Sequence, residues 1–271
     1  MSIIEYEVNE RVAVITLNRP ERRNAQNAQL LKDLDAAFDR AVAEKEVRVI
    51  VLKAAGDHFS AGHDLSDEAR NGPPWDTIFD DVKENGLLGM YKWELGHYFG
   101  YSRKWRDLPK PTIAAVQGAA VAGGAGLVTV CDLAIAVPEA KFGYPEVRRG
   151  LVAAMVMPHL MRHVGERMAR YLLLSGELID ANAAVAAGLI NEVIPADRLL
   201  ERAHTLAKAC AEGGPNALAK TKEYLHQFSR QALSVEDAAQ ASAAPRLTEE
   251  CQQGLRAFFA KQPVPWMQPS T

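Results

Sequence analysis

Residues 110–133 read KPTIAAVQGAAVAGGAGLVTVCDL. Pro111 to Val116 is a short run of small and β-branched residues, the composition of a buried strand. It leads straight into Gln117-Gly118-Ala119-Ala120-Val121-Ala122-Gly123-Gly124-Ala125-Gly126, where small residues alternate with glycine. From about Gly124 to Val130 the chain reads as a short apolar helix, and Asp132 to Val137 (DLAIAV) reads as a second strand. Glycine beside small residues lets backbone approach a ligand closely. N–H groups at a helix N-terminus suit developing negative charge, reinforced by the helix dipole. Taken alone, the same glycines read more simply as tight turns.

Working outward, Val12 to Leu17 (VAVITL) is a buried strand, with Ile3 to Val8 as its partner and Asn9-Glu10 as the turn. Leu30, Leu31, Leu34, Phe38 and Val42 place a helix over Gln26 to Val42, and Val47 to Leu52 (VRVIVL) is another strand. This alternation predicts an α/β core of stacked strand–helix units. After about Met155 the pattern turns helical: Pro158 to Leu174, Asp180 to Ala187, Pro195 to Ala211, Pro215 to Arg230 and Ser234 to Ala260, with a short strand at Ile190 to Ile194. Ser234 with Asp237 reads as a capping pair for the last helix. The organisation expected is an α/β core over residues 1–195 and a helical region over 196–271, whose apolar faces need either that core or a neighbouring subunit. Between the two halves of the core, Ser66 to Asp107 begins polar with Gly72-Pro73-Pro74 and then gathers aromatics, among them Trp75, Tyr91, Trp93 and Trp105. A long connection joining two candidate site loops is expected to wall or cover a pocket.

Composition narrows the function classes. The chain has 271 residues, 48% hydrophobic and 24% charged, enough for a sizeable core. A net charge of −3 gives no general attraction to nucleic acid or to an anionic membrane, although local basic residues can still hold a phosphorylated cofactor. Three cysteines (Cys131, Cys210, Cys251) without a CxxC fit neither a disulfide framework nor a structural zinc site, and they fit a reducing compartment. The acidic N-terminal stretch lacks a signal-peptide pattern, and no apolar run reaches the roughly 18 residues of a membrane span. A cytoplasmic location is the default expectation. No His/Asp/Glu cluster has metal-ligand spacing, so no metal is expected. Nucleotide folds also fit poorly: the glycines do not spell G-x-G-x-x-G, no well-placed acid follows about 20 positions later, and G-x-x-x-x-G-K-[ST] is absent.

A second glycine-containing loop, Phe59-Ser60-Ala61-Gly62-His63-Asp64-Leu65, follows the strand Val47 to Leu52. In this order the two segments resemble the enoyl-CoA hydratase/isomerase (crotonase) family. Leu17 to Ala25 (LNRPERRNA) looks like its N-RP…NA start, Phe59 to Leu65 like its FxAGxDL loop, and Lys110 to Leu133 like its KPxIAAVxGxxxGGGxxLxxxCDL block. Phe142 to Val147 (FGYPEV) with Gly150 looks like FGxPEvxxG, and Gly188 to Val193 (GLINEV) like GLVxxVV. The resemblance covers nearly the whole chain and is far more specific for the family than for the reaction.

The resemblance implies a crotonase-like spiral of β-β-α units with a helical C-terminal trimerisation region, assembled as a homotrimer or a dimer of trimers. It implies an acyl-CoA substrate, with coenzyme A as part of the substrate and no tightly bound cofactor. The thioester oxygen would lie between the backbone N–H groups of His63 and Gly123. Two preorganised donors stabilise the charge created when a proton alpha to a thioester moves, and one such donor is worth about 3–4 kcal/mol. His63 replaces a more usual alanine, which a backbone donor tolerates. The implied coenzyme A subsite runs along Arg22, Arg23, Ala25, Ala61, Asp64 and Leu65, with Lys261 reaching it from its own or an adjacent subunit. Asp64 reads as an organiser of its loop, and the paired arginines suit phosphates.

Departures from the family pattern bear on the reaction. Hydratases of the family use two glutamates around a water. Glu146 stands at one of those positions and Gly126 at the other. One carboxylate suffices to carry a proton between two carbons, as double-bond isomerisation requires. Ala154 occupies the position eight residues after Glu146 where dienoyl isomerases and aryl-halide hydrolases of the family carry an acid. Three readings follow: enoyl-CoA isomerisation or hydration through Glu146, CoA-thioester hydrolysis or C–C cleavage in the same oxyanion hole, and an acyl-CoA-binding protein of weak activity.

Overall fold

The computed structural model describes residues 2–65, 100–228, 239, 243 and 248–262. The chain opens with the hairpin β1 (Ile4–Asn9) and β2 (Val12–Leu17). Glu10 and Arg11 make its two-residue turn with φ of +46° and +69°, the twist that tight hairpins favour. β2 is buried along its full length because it is interior to the sheet, which explains its unbroken apolar run. Helix α1 (Ala28–Ala43) starts two residues inside the expected span because Asn27 caps it, its side chain accepting from the Leu30 N–H.

Six strands form the main sheet in the order β1, β2, β3 (Val49–Ala54), β4 (Thr112–Val116), β6 (Leu133–Ala136) and β9 (Glu192–Val193). Only β1 is antiparallel to its neighbour. A second sheet holds β5 (Ala119–Val121), β7 (Lys141–Gly143) and β8 (Leu178–Asp180). These three-residue strands are too short to show a period in sequence, and none was expected from it. They create the spiral: β4, β5 and the helix α3 (Gly123–Val130) make one β-β-α turn, and β6, β7 and the helix α4 (Met157–Ser175), kinked at the non-helical Gly165, make the next. Helix α2 (Gly100–Arg106) precedes β4.

Trp105 at the end of α2 is 1% exposed; it packs on Phe38 of α1 and donates from its indole N–H to Asp35 at 2.9 Å. The described end of the aromatic segment therefore belongs to the core; residues 66–99, where a pocket wall was expected, lie outside the described residues.

In the C-terminal region, α5 (Ala181–Ala186) is capped by Asp180. The helix α6 (Leu199–Ala211) buries Leu199, Ala203 and Ala207 in the same core cluster as the main sheet. Helix α7 (Pro215–Phe228) is tied down by Lys222, which is 7% exposed and donates to Asp132 at 2.6 Å. Asp132 also accepts from the Thr112 N–H and hydroxyl, so the acid of the CDL motif joins β4 to a distant helix. The expected single helix Ser234 to Ala260 is corrected at its C-terminal half. Thr248 is extended and caps a separate helix, α8 (Glu249–Ala260), because its hydroxyl accepts from the Cys251 N–H. The Ser234–Asp237 pair lies outside the described residues. No helix among the described residues is long and apolar enough to cross a membrane.

Candidate active site

The two glycine loops are stitched together by backbone. Ser60 N–H donates to Ala119 O at 3.1 Å and Val121 N–H donates to Ser60 O at 3.0 Å, a parallel bridge between the first loop and β5. Contact this close excludes side chains. A Cβ on Gly124 would lie 2.2 Å from Ser60 O, and one on Gly62 would lie 2.8 Å from the Ala122 Cβ and 2.9 Å from the Gly123 nitrogen. Gly62 also has a φ of +84°, which glycine adopts without penalty. Gly62, His63 and Gly123 are thus neighbours across the seam between the two segments.

The N-terminal motif supplies the support beneath. Asn24 is fully buried, donates to Ala55 O and His58 O, and accepts from the Arg19 N–H. Gln26 N–H donates to Gly62 O at 2.8 Å and Asp64 N–H donates to Gln26 O at 3.0 Å, which fixes the backbone on both sides of His63. Asp64 is 4% exposed and its carboxylate is ion-paired with Arg19. That pairing agrees with a loop-organising role.

On the other side of the seam, Ala122 has φ +53° and ψ −124°, a conformation that costs a non-glycine residue about 1–3 kcal/mol. Its N–H donates to Gly143 O at 2.9 Å, so β7 helps hold the bend that starts α3 at Gly123. Gly124 to Val130 are buried, whereas Gly123 keeps partial exposure.

A cavity of about 630 Å³ opens at this seam. Arg22, Arg23, Ala25, Ala61, His63, Asp64, Leu65, Gly123 and Glu146 all line it. Lys261 does not; it is exposed at the end of α8, the helix that sends Phe258 and Phe259 to the cavity wall. Glu146 is presented by the 3-10 turn Pro145–Arg149, which Gly150 ends in a left-handed conformation. Gly126 is buried inside α3, where its carbonyl accepts from the Thr129 hydroxyl at 2.8 Å, and it is not part of the wall. Ala154 is buried between the lining residues Ala153 and Met155.

Sequence reasoning passed over several lining residues. His58 faces the cavity with its Nδ1 accepting from the Ala119 N–H at 3.3 Å. Leu151, Val152, Met155 and Val156 give an apolar wall. Arg149 lies one 3-10 turn beyond Glu146, with its guanidinium 4.2 Å over the Phe258 ring. Burial lowers the Arg149 pKa, opposed by the charge of Glu146. The spacing of three from Glu146 was the available signal, because residues i and i+3 share a face of a 3-10 helix. Cys131 is buried and its thiol is pushed up to about 12, chiefly by burial, so it is a packing residue and no nucleophile.

The fold is shared with solved enoyl-CoA hydratases. The profile of the family described as enoyl-CoA hydratase/isomerase matches residues 7–269, and the chain belongs to that family. A Thermus thermophilus relative is 41% identical over 256 residues, covering 93% of this chain and 96% of its own. The 2,3-dehydroadipyl-CoA hydratase of Escherichia coli is 34% identical over 255 residues, covering 93% of each chain. The crystal structure of an enoyl-CoA hydratase/isomerase from Xanthobacter autotrophicus superposes with a TM-score of 0.81 at 31% identity, covering 99% of both chains.

Proposed function

We propose that the cavity binds the acyl thioester with its carbonyl oxygen between the His63 and Gly123 backbone N–H groups, and that Glu146 is the proton-transferring group. The observation that carries this reading is that His63, Gly123 and Glu146, from three separate motifs, line one cavity. Two fixed donors stabilise the enolate oxygen formed when a proton leaves the alpha carbon. A carboxylate facing the same space can take that proton and return it at another carbon. Because glycine holds position 126, Glu146 has no partner carboxylate at that position, which favours double-bond isomerisation between 2-enoyl and 3-enoyl thioesters. Water addition is the second reading, favoured by the hydratase names of relatives, and it would require Glu146 to activate water without an acid at position 126. Arg22 and Arg23, at the mouth contributed by the N-terminal loop, are assigned to the coenzyme A phosphates.

The test is Glu146→Gln in folded protein. Acyl-CoA affinity should hold, because the backbone donors and the apolar wall are intact. Turnover of the better of trans-2- and 3-enoyl-CoA should fall by about 10²–10⁴, the usual worth of a positioned acid or base. Undiminished turnover would remove Glu146 from the mechanism and leave His63 and His58 as the titratable groups to examine.

A further inference from the structure

We propose that Arg149 makes this an enzyme for acyl-CoA thioesters whose acyl chain ends in a carboxylate. The inference rests on the placement of the thioester given above and goes further by naming the substrate class. Glu146 and Arg149 stand on one face of the same 3-10 turn, separated by a rise of about 6 Å. Arg149, Leu151, Val152 and Phe258 line the same cavity as Glu146, so an acyl chain with its reacting carbons at Glu146 has them within the same space.

An otherwise apolar wall gains nothing from a guanidinium unless a ligand uses it. Among the described residues Arg149 has few protein partners. Its Nη1 makes a long 3.4 Å contact to Pro145 O within its own turn, and its Nε is buried without a hydrogen-bond partner. Among the described residues it forms no ion pair within 4.0 Å. Its charge is steadied by the Phe258 ring, and of its nitrogens Nη2 has no hydrogen bond among the described residues. Desolvated donors without acceptors are costly, and a carboxylate matches the fork of a guanidinium with two parallel hydrogen bonds. Charge repulsion from Glu146 favours a ligand acid placed beyond the reacting carbons, at the far end of a short chain. Arg22 and Arg23, from the N-terminal loop, are already assigned to the other end of the ligand.

The experiment compares two saturated ligands of equal chain length, adipoyl-CoA and hexanoyl-CoA, by calorimetric titration of the whole protein. Wild type should bind the carboxylate-terminated thioester more tightly. Arg149→Met keeps an apolar stem against Phe258 and should collapse that preference by about 10–100-fold, the usual worth of a desolvated charge-assisted pair. Arg149→Lys should recover part of it, because it restores charge without the fork. Equal wild-type affinity for the two ligands overturns the proposal whatever the variants do. Parallel loss of both ligands in Arg149→Met also overturns it, since that is the mark of a phosphate contact or of damaged packing. Binding is read without turnover, so a failure of Glu146 as the base leaves this measurement standing.

Discussion

Gly62→Ala tests the seam on which the site depends. At a φ of +84° alanine carries backbone strain of about 1–3 kcal/mol. Its methyl would also lie 2.8 Å from Val121 O and 2.9 Å from the Gly123 nitrogen, where ordinary contacts begin near 3.4 Å. The two segments must therefore part by about half an ångström. Overpacking of this kind costs about 1–3 kcal/mol, giving about 2–6 kcal/mol in all when added to the strain. For a chain of this size the thermal midpoint moves by about 2–4 °C per kcal/mol, so a fall of about 4–24 °C is expected. A shift of half an ångström takes a hydrogen bond of about 2.9 Å past the useful limit of about 3.2 Å. Loss of one donor to the thioester oxygen lowers turnover by about 10²–10³. Gly165→Ala is the control, because Gly165 also has a positive φ, +68°, but a methyl there meets nothing within 4 Å. It should lose only the strain contribution, about 1–3 kcal/mol, with turnover intact. The assay pairs thermal unfolding with turnover of the best enoyl-CoA substrate below both midpoints. Folded Gly62→Ala protein with full turnover would refute the argument that this close approach holds the donors in place.

Ala122→Gly should relieve backbone strain at the start of α3 and stabilise the protein by about 1–2 kcal/mol, after allowing for the added freedom of glycine in the unfolded chain; an unchanged or lower thermal midpoint would count against strain at Ala122. His159 is 4% exposed, and burial, aided by Arg106, Arg162 and His163 against the opposing charge of Asp107, holds its imidazole down at about 3 from an ordinary 6.5. The unfolded chain takes up this proton below about 6.5 and the folded chain refuses it, so the stability present above 6.5 is lost progressively as pH falls toward 3. His159→Leu should remove about 1.4 kcal/mol per pH unit of that slope, read by urea unfolding at pH 6.5 and pH 5; equal slopes in the two proteins would refute the assignment. Charge reversal at Arg22 and Arg23 together should weaken acyl-CoA binding much more than binding of an acyl-pantetheine lacking the nucleotide, and equal loss for both ligands would place the arginines elsewhere.

What the sequence determined by itself was local. Strands such as Val12–Leu17 and Thr112–Val116 were legible because strands buried on both faces must be continuously apolar, and that shows without any partner. The two glycine segments were legible as places where backbone comes close to something. The family motifs added their order and pointed to Glu146, His63 and Gly123. What sequence could not determine was what the backbone comes close to. Gly62 meets Gly123, and Gly124 meets Ser60, only because β5 lies beside the first loop, and a three-residue strand carries no readable period. The helix boundary at Thr248 was hidden because a threonine side chain caps only if its own backbone is extended, a choice made by packing. Arg149 was marked in sequence only by its spacing of three from Glu146, which is no signal until the turn is known to be a 3-10 helix at a cavity. An arginine in sequence is a surface charge by default, and only the tertiary fold, by bringing Phe258 over it in the wall of a cavity, makes it a candidate to meet a ligand.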